Sequence, residues 1–277
     1  MTADSLVQII ILAIIQGIAE FLPISSSGHL ALLGNLLKID PEANLTLGIL
    51  LHAGSLLAIC VFYYRTLLGF LHKNQRHLAL MVFVGTLPAT AVGLTLKLTG
   101  WAETMFDFPL LIGLCFLITA TLLRMTEKEK LIVKPSPDAP PTTLQEITPR
   151  QALTVGFAQA FAILPGISRS GSTIAAGILS GINREAAGNF SFLLALPVIG
   201  GAVLLELLET LRAAQTAEVT QSSDGLQLFI GFAVSALVSF GALSLLMKLI
   251  RKGKLAWFSW YLYSIGIAVI IWQITQR

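Results

Sequence analysis

The sequence predicts an all-α polytopic membrane protein, with six transmembrane helices plus two re-entrant helix pairs in inverted-topology repeats. Three observations lead there. Charge is scarce, apolar runs recur at the length of a membrane span, and two of those runs are broken at matching places. Of 277 residues, 12% are charged and 55% apolar, whereas a soluble domain carries about 25% charged residues. Too little polar surface remains to coat a globule in water. A soluble or disordered protein is excluded, and so is a nucleic-acid binder despite the net charge of +3. Cys60 and Cys115 lie inside apolar runs, so they form no disulfide framework, and no CxxC pair suggests zinc.

A helix needs about 20 mostly apolar residues to cross the hydrocarbon core. Segments 44–64, 78–98, 107–125, 186–209, 226–249 and 255–274 qualify. None has the short alternating pattern of an outer-membrane barrel. The first residues are apolar too, but without a basic n-region or an A-x-A site they do not read as a cleaved signal peptide. Regions 5–38 and 150–185 are apolar but interrupted. Glu20, Pro23, three serines and Gly28 break the first; Pro165, Gly166, Ser168, Arg169, Ser170 and Gly171 break the second. The pieces, about 10–15 residues each, are too short to span and read as re-entrant hairpins. Non-helical backbone at that depth must be buried in protein or line a wet cavity.

Charge in the loops tests this layout. With 65–77, 124–150, 183–185 and 248–254 in the cytoplasm, most of the 18 Lys and Arg residues lie inside. Lys38, Lys97, Arg212 and Arg277 lie opposite, and Arg169 sits in the second break. The bias survives only if both broken regions return to the side they came from. The chain then reads as a single integral membrane domain. Its halves cover about 1–134 and 150–277, and a polar, Pro-rich cytoplasmic linker at about 135–149 joins them.

The halves resemble each other. QGIAEFLPISSSG at 16–28 aligns with QAFAILPGISRSG at 159–171, an offset of 143. Gln16 meets Gln159, Ser25 meets Ser168, Ser27 meets Ser170 and Gly28 meets Gly171. Each half holds one hairpin and three spans, an odd number, so the second half is inverted and the two tips meet near the midplane.

Ionisable residues in the apolar regions are Glu20, His29, His52, Arg169 and Glu206. Each is costly in a bilayer and is therefore a functional candidate. The bland reading is that Glu20 and Arg169 merely pair. The surroundings go further: Ser25, Ser26, Ser27, Ser168, Ser170, Ser172 and Thr173 cluster at the breaks, and freed N–H groups there form anion-binding concavities. Arg169 adds a forked cation suited to phosphate oxygens, and a helix starting near Ser170 would aim its N-terminus at the same anion. Gln16 and Glu20, four apart, share a helix face. Glu20 is a general base or a metal ligand. His29 is close in sequence to the serines as acid, base or nucleophile. Together these groups suggest phosphoryl transfer from a lipid phosphate to water. His52 reads as packed or pore-facing, and Glu206 as reaching the interface. His72 and His77 read as solvated, while Trp101, Trp257, Trp260 and Trp272 form an aromatic belt.

EFLPISSSGH at 20–29, preceded by Gln16 and Glu20 as a Q-x-x-x-E motif, and PGISRSGST at 165–173 resemble the two motifs of the undecaprenyl-diphosphate phosphatase family, the bacitracin-resistance type. The resemblance covers essentially the whole chain. It implies hydrolysis of undecaprenyl diphosphate to undecaprenyl phosphate and inorganic phosphate, which recycles the lipid carrier for peptidoglycan synthesis. The implied location is the bacterial cytoplasmic membrane, with the site facing its outer side. Ser26 is the preferred nucleophile and His29 its competitor. Arg169 clamps the diphosphate, assisted by Gln16, Ser25, Ser27, Ser168, Ser170 and Thr173. Glu20 serves as base or holds the Mg²⁺ or Ca²⁺ that the resemblance implies. Bacitracin competes for the polyprenyl diphosphate, no nucleic acid is expected, and a homo-oligomer is left open. The competing reading is a lipid-phosphate transporter or flippase using the same midplane site.

Overall fold

The computed structural model describes residues 3–37, 41–70, 75–101, 108–128, 131–132, 140–216 and 225–275. The first half contains α1 (Ala3–Phe21), α2 (Ser26–Leu37), α3 (Pro41–Phe62), the short α4 (Tyr64–Gly69), α5 (Arg76–Thr99) and α6 (Pro109–Met125). The second contains α7 (Pro149–Phe161), α8 (Arg169–Leu179), α9 (Arg184–Thr216), α10 (Gly225–Arg251) and α11 (Trp257–Thr275). Local chemistry sets several of these ends. Pro109 and Pro149 open α6 and α7, where a missing N–H does no harm. Thr148 and Gln151 close a capping box at the start of α7. Gly100 stops α5 in the left-handed conformation.

Among the described residues four helices are long and apolar enough to cross a membrane: Arg76–Thr99, Arg184–Thr210, Gly225–Arg251 and Trp257–Thr275. Leu6–Phe21, Leu47–Phe62 and Pro109–Met125 are shorter apolar helices. Large apolar side chains turn outward along them; Leu98 is 78% exposed and Leu237 76%. Such a surface belongs in lipid. The chain is a helical multi-pass membrane protein, as the sequence predicts.

Two lengths differ from expectation. At 19 residues α1 is longer than a short re-entrant piece, whereas α2, α7 and α8 keep to 12, 13 and 11 residues. The predicted 186–209 span is part of a 33-residue helix, because the Leu, Ala and Glu residues beyond Glu206 are strong helix formers.

Packing pairs α1 and α3 with α10, α5 with α7, and α6 with α11. Glycines let the backbones approach. A Cβ on Gly54 would stand 2.6 Å from the Phe232 carbonyl of α10, and one on Gly156 of α7 would strike the Gly85 carbonyl of α5. Phe21, Phe116, Phe190 and Phe192 fill the centre. The Phe21 and Phe192 rings, with centroids 5.6 Å apart, tie the end of α1 to α9.

The predicted linker is partly anchored. Its stretch 135–139 lies outside the described residues. Thr142 pairs with Ile182, and the fully buried Ile147 accepts a bond at its carbonyl from His77 Nε2 at 2.9 Å. His77 is therefore bonded rather than merely solvated, since a carbonyl next to a buried side chain needs a donor. His72 lies outside the described residues, as do Lys38, Lys73, Lys130, Lys134 and Arg277 of the charge argument. Bonds from the Thr143 hydroxyl and amide hold the Glu146 carboxyl below its usual range. This capping box therefore persists as pH falls, until the pH passes that lowered value.

Candidate active site

The two sequence breaks form two tips that face one cavity. The first is the turn at 22–25 between α1 and α2, the second the turn at 162–168 between α7 and α8. Ser25 takes φ 70, a left-handed conformation rare for serine. This sharp turn directs α2 into the cavity. The Ser25 hydroxyl accepts from the Gly28 amide at 3.3 Å, and the Ser168 hydroxyl accepts from the Gly171 amide at 3.1 Å. The offset of 143 thus recurs as the same helix cap in both halves. Gly166, at φ 92, lies against α6, where a Cβ would come within 2.6 Å of the Ile112 carbonyl. Thr119 of α6 accepts from the Ser168 amide at 3.1 Å and fixes the second tip.

The cavity measures about 210 Å³. Glu20, Ser25, Ser26, Ser27, Ser168 and Arg169 line its polar end, with His52 and Gln159 beside them. Ala162, Ile163, Val198, Ile199, Ala202 and Val203 form an apolar wall. Glu206 also belongs to the lining, so it faces the cavity rather than only the interface. α2 and α8 both begin at this cavity, so their N-terminal partial positive charges lie beside it.

Glu20 is the hub. Its Oε1 accepts from Arg169 Nη2 at 2.7 Å. Its Oε2 accepts from the Ser26 hydroxyl at 2.8 Å and from Gln16 Nε2 at 3.1 Å, with His52 Nε2 at 3.8 Å. The pairing foreseen by the bland reading is present, joined by a serine hydroxyl within proton-transfer distance. Arg169 Nη1 is buried and has no partner. One half of the fork holds Glu20, and the other is free to donate to a ligand.

Not every residue predicted for the site reaches the cavity. Gln16 lies behind Glu20 and braces it, with its own Oε1 unpartnered. Ser170 bonds Ser168 at 3.2 Å, and Thr173 bonds Ser191 at 2.6 Å; neither is part of the lining. His29 is also outside it. Its Nδ1 meets the Ser25 carbonyl at 2.8 Å and its Nε2 the Tyr261 hydroxyl at 2.6 Å. The ring stacks on Tyr261 and tilts against Phe116. With Nδ1–H donating to the carbonyl, Nε2 accepts from the phenol, and both nitrogens are in use.

Sequence reasoning missed Gln159. It is 2% exposed and lines the cavity, and neither its Nε2 nor its Oε1 has a hydrogen-bond partner. The signal was its alignment with Gln16, which served only to establish the repeat.

The chain is similar to undecaprenyl-diphosphatases along nearly its whole length. It is 41% identical over 272 residues to the undecaprenyl-diphosphatase of Rhodopirellula baltica, covering 97% of this chain and 98% of that one. It is 38% identical to the undecaprenyl-diphosphatase of Halothermothrix orenii, covering 95% and 96%. It is 36% identical to that of Carboxydothermus hydrogenoformans, covering 96% and 97%. The family described as bacitracin resistance protein BacA matches residues 9–268. With that match, and with both tips of the cavity inside the matched span, the chain belongs to the BacA family.

Proposed function

We propose that this protein hydrolyses undecaprenyl diphosphate to undecaprenyl phosphate and inorganic phosphate. The observation that carries the reading is the Ser26–Glu20–Arg169 chain, with bonds of 2.8 and 2.7 Å, set between two helix N-termini in a cavity with an apolar wall. The serine–carboxylate distance suits a nucleophile and its base. The free Arg169 Nη1 and the two helix starts suit the charge of a diphosphate.

Glu20 Oε2 takes the Ser26 proton as Ser26 Oγ bonds the terminal phosphorus. The bond from that phosphorus to the bridging oxygen breaks, and undecaprenyl phosphate leaves. Water then attacks the phosphoserine, phosphate departs, and Ser26 regains its proton. Arg169 and the tip N–H groups stabilise charge on the transferring oxygens. Val198, Ile199, Ala202 and Val203 offer the prenyl chain an apolar path.

The resemblance also implies Mg²⁺ or Ca²⁺. Among the described residues no three His, Cys, Asp or Glu side chains lie together, and both Glu20 oxygens are engaged. These residues do not fit a protein cage for such an ion. Mg²⁺ commonly binds through substrate phosphates and keeps several waters, so the cation is assigned to the diphosphate, and no step is derived through it.

The finer topology belongs to the same proposal. It has six spans and two re-entrant pairs, halves at about 1–134 and 150–277 in inverted repeats, and a site open to the outer face of the cytoplasmic membrane. The paired Ser25 and Ser168 caps support it.

Phosphate release from a C55 or C15 prenyl diphosphate by the detergent-purified protein tests the function. Ser26→Ala is expected to lower turnover by at least ~10³-fold while binding persists. Wild-type rates in that variant would remove Ser26 as the nucleophile. No release by the wild type with Mg²⁺ or Ca²⁺ present would leave the transporter reading.

A further inference from the structure

We infer that Gln159 is a catalytic residue of the second half-reaction, orienting the water that hydrolyses the Ser26 phosphoester; the inference rests on the phosphatase reading. The repeat explains why this amide is free. In the first half Gln16 donates to Glu20, four residues further along the same helix, at 3.1 Å. At the offset of 143 the residue matching Glu20 is Ile163, which has no polar atom to offer. Gln159 keeps its counterpart's place but has lost the partner. Gln159 is 2% exposed, its amide is buried and unpaired at both ends, and the residue lines the cavity with Ser26 and Arg169. Buried amides are nearly always bonded, so an unpaired one on a residue that lines a site marks where a ligand completes it.

The chemistry of the free atoms indicates which ligand. Arg169 Nη1 is a donor only, which is what phosphate oxygens need. Gln159 presents both a donor and an acceptor. A phosphoryl group alone would use Nε2 and leave Oε1 facing negative oxygens. A water between phosphoryl and amide uses both: Oε1 accepts from the water, and Nε2 donates to a phosphoryl oxygen. The cavity, at about 210 Å³, has room for a phosphoryl group and a few waters, each of which occupies about 30 Å³. In the step assigned here the water oxygen bonds phosphorus and the phosphorus–Ser26 Oγ bond breaks. Glu20 returns the proton that it took from Ser26, and both protons of the water leave with the phosphate.

Rapid-quench kinetics on the full-length detergent-purified protein, with a C15 prenyl diphosphate labelled at its terminal phosphate, test the role. Gln159→Leu is nearly isosteric and removes two unpaired buried atoms, so it is expected to fold with an undiminished melting temperature. Gln159→Met serves as a second variant of similar length. Either should release close to one equivalent of prenyl monophosphate in a burst and retain label on the protein. Steady-state turnover should then fall roughly 10²-fold. Adding Ser26→Ala should abolish the label. A raised KM with unchanged kcat, or slowed turnover with neither burst nor labelled protein, would overturn the role of Gln159. A wild-type protein that releases no phosphate would instead overturn the phosphatase reading, and this inference with it.

Discussion

Arg169 offers two donors on one planar group, one engaged and one free, and a single point charge cannot imitate both. Nη2 holds Glu20 at 2.7 Å, while Nη1 is buried and free. Arg169→Lys should therefore lose roughly 10²–10³-fold in kcat, the effect of removing one transition-state donor, while the protein remains folded. Near-normal turnover would rule out the clamp. His29 gives the opposite case. Its nearness to the serines made it a candidate from sequence, but Ser25, Tyr261 and Phe116 hold the ring outside the cavity lining. Tyr261→Phe removes one bond to that ring and should change turnover by less than about tenfold, in keeping with a net hydrogen bond of ~0.5–1.5 kcal/mol. A fall to the Ser26→Ala level would favour the competing reading of His29 as nucleophile or acid/base. Glu20 and Arg169 were legible because ionised groups in apolar runs are conspicuous. Gln159 was not, because an uncharged amide shows its importance only once its partners can be counted.

At the scale of elements, glycines decide how closely helices pack. Gly85 of α5 and Gly156 of α7 meet backbone to backbone, so Gly156→Leu has no flexible neighbour to displace. Overpacking of this kind costs about 1–3 kcal/mol. Thermal unfolding of the purified variant, followed by tryptophan fluorescence, should show a lower midpoint; an unchanged midpoint would mean that the α5–α7 contact contributes little. Periodicity and length located the described helices well, since the predicted 226–249 became Gly225–Arg251 and 78–98 became Arg76–Thr99. The anchoring of 140–148 was hidden because it depends on the Thr142–Ile182 pairing and on His77, contacts between segments far apart in sequence. The exact turn at Ser25 was hidden too, for serine gives little warning of a positive φ.

Across the whole molecule the two halves supply different groups to one cavity: the Ser26 hydroxyl and Glu20 carboxylate from the first, the Arg169 guanidinium and Gln159 amide from the second. The offset of 143 made that convergence readable, while the direction of each side chain awaited the fold. The same view bears on the metal. If the cation travels with the diphosphate, calorimetric titration of the substrate-free protein with Mg²⁺ or Ca²⁺ should show no saturable heat, while a chelator should still stop turnover. Saturable binding at micromolar metal without substrate would restore a protein-held ion.

The bond between Arg169 and Glu20 has a further consequence. At rest the guanidinium is half neutralised by a carboxylate of its own protein, so an incoming anion competes with an internal rival. A phospholipid diester carries one negative charge at its phosphate and has little with which to compete for the guanidinium. A terminal phosphate on a diphosphate concentrates more charge and would draw more strongly on the guanidinium through the free Nη1, leaving Glu20 less neutralised as the partner of Ser26. On the proposed reading, the ion pair would set a charge threshold that keeps the Ser26 hydroxyl idle among the phosphodiesters of the bilayer.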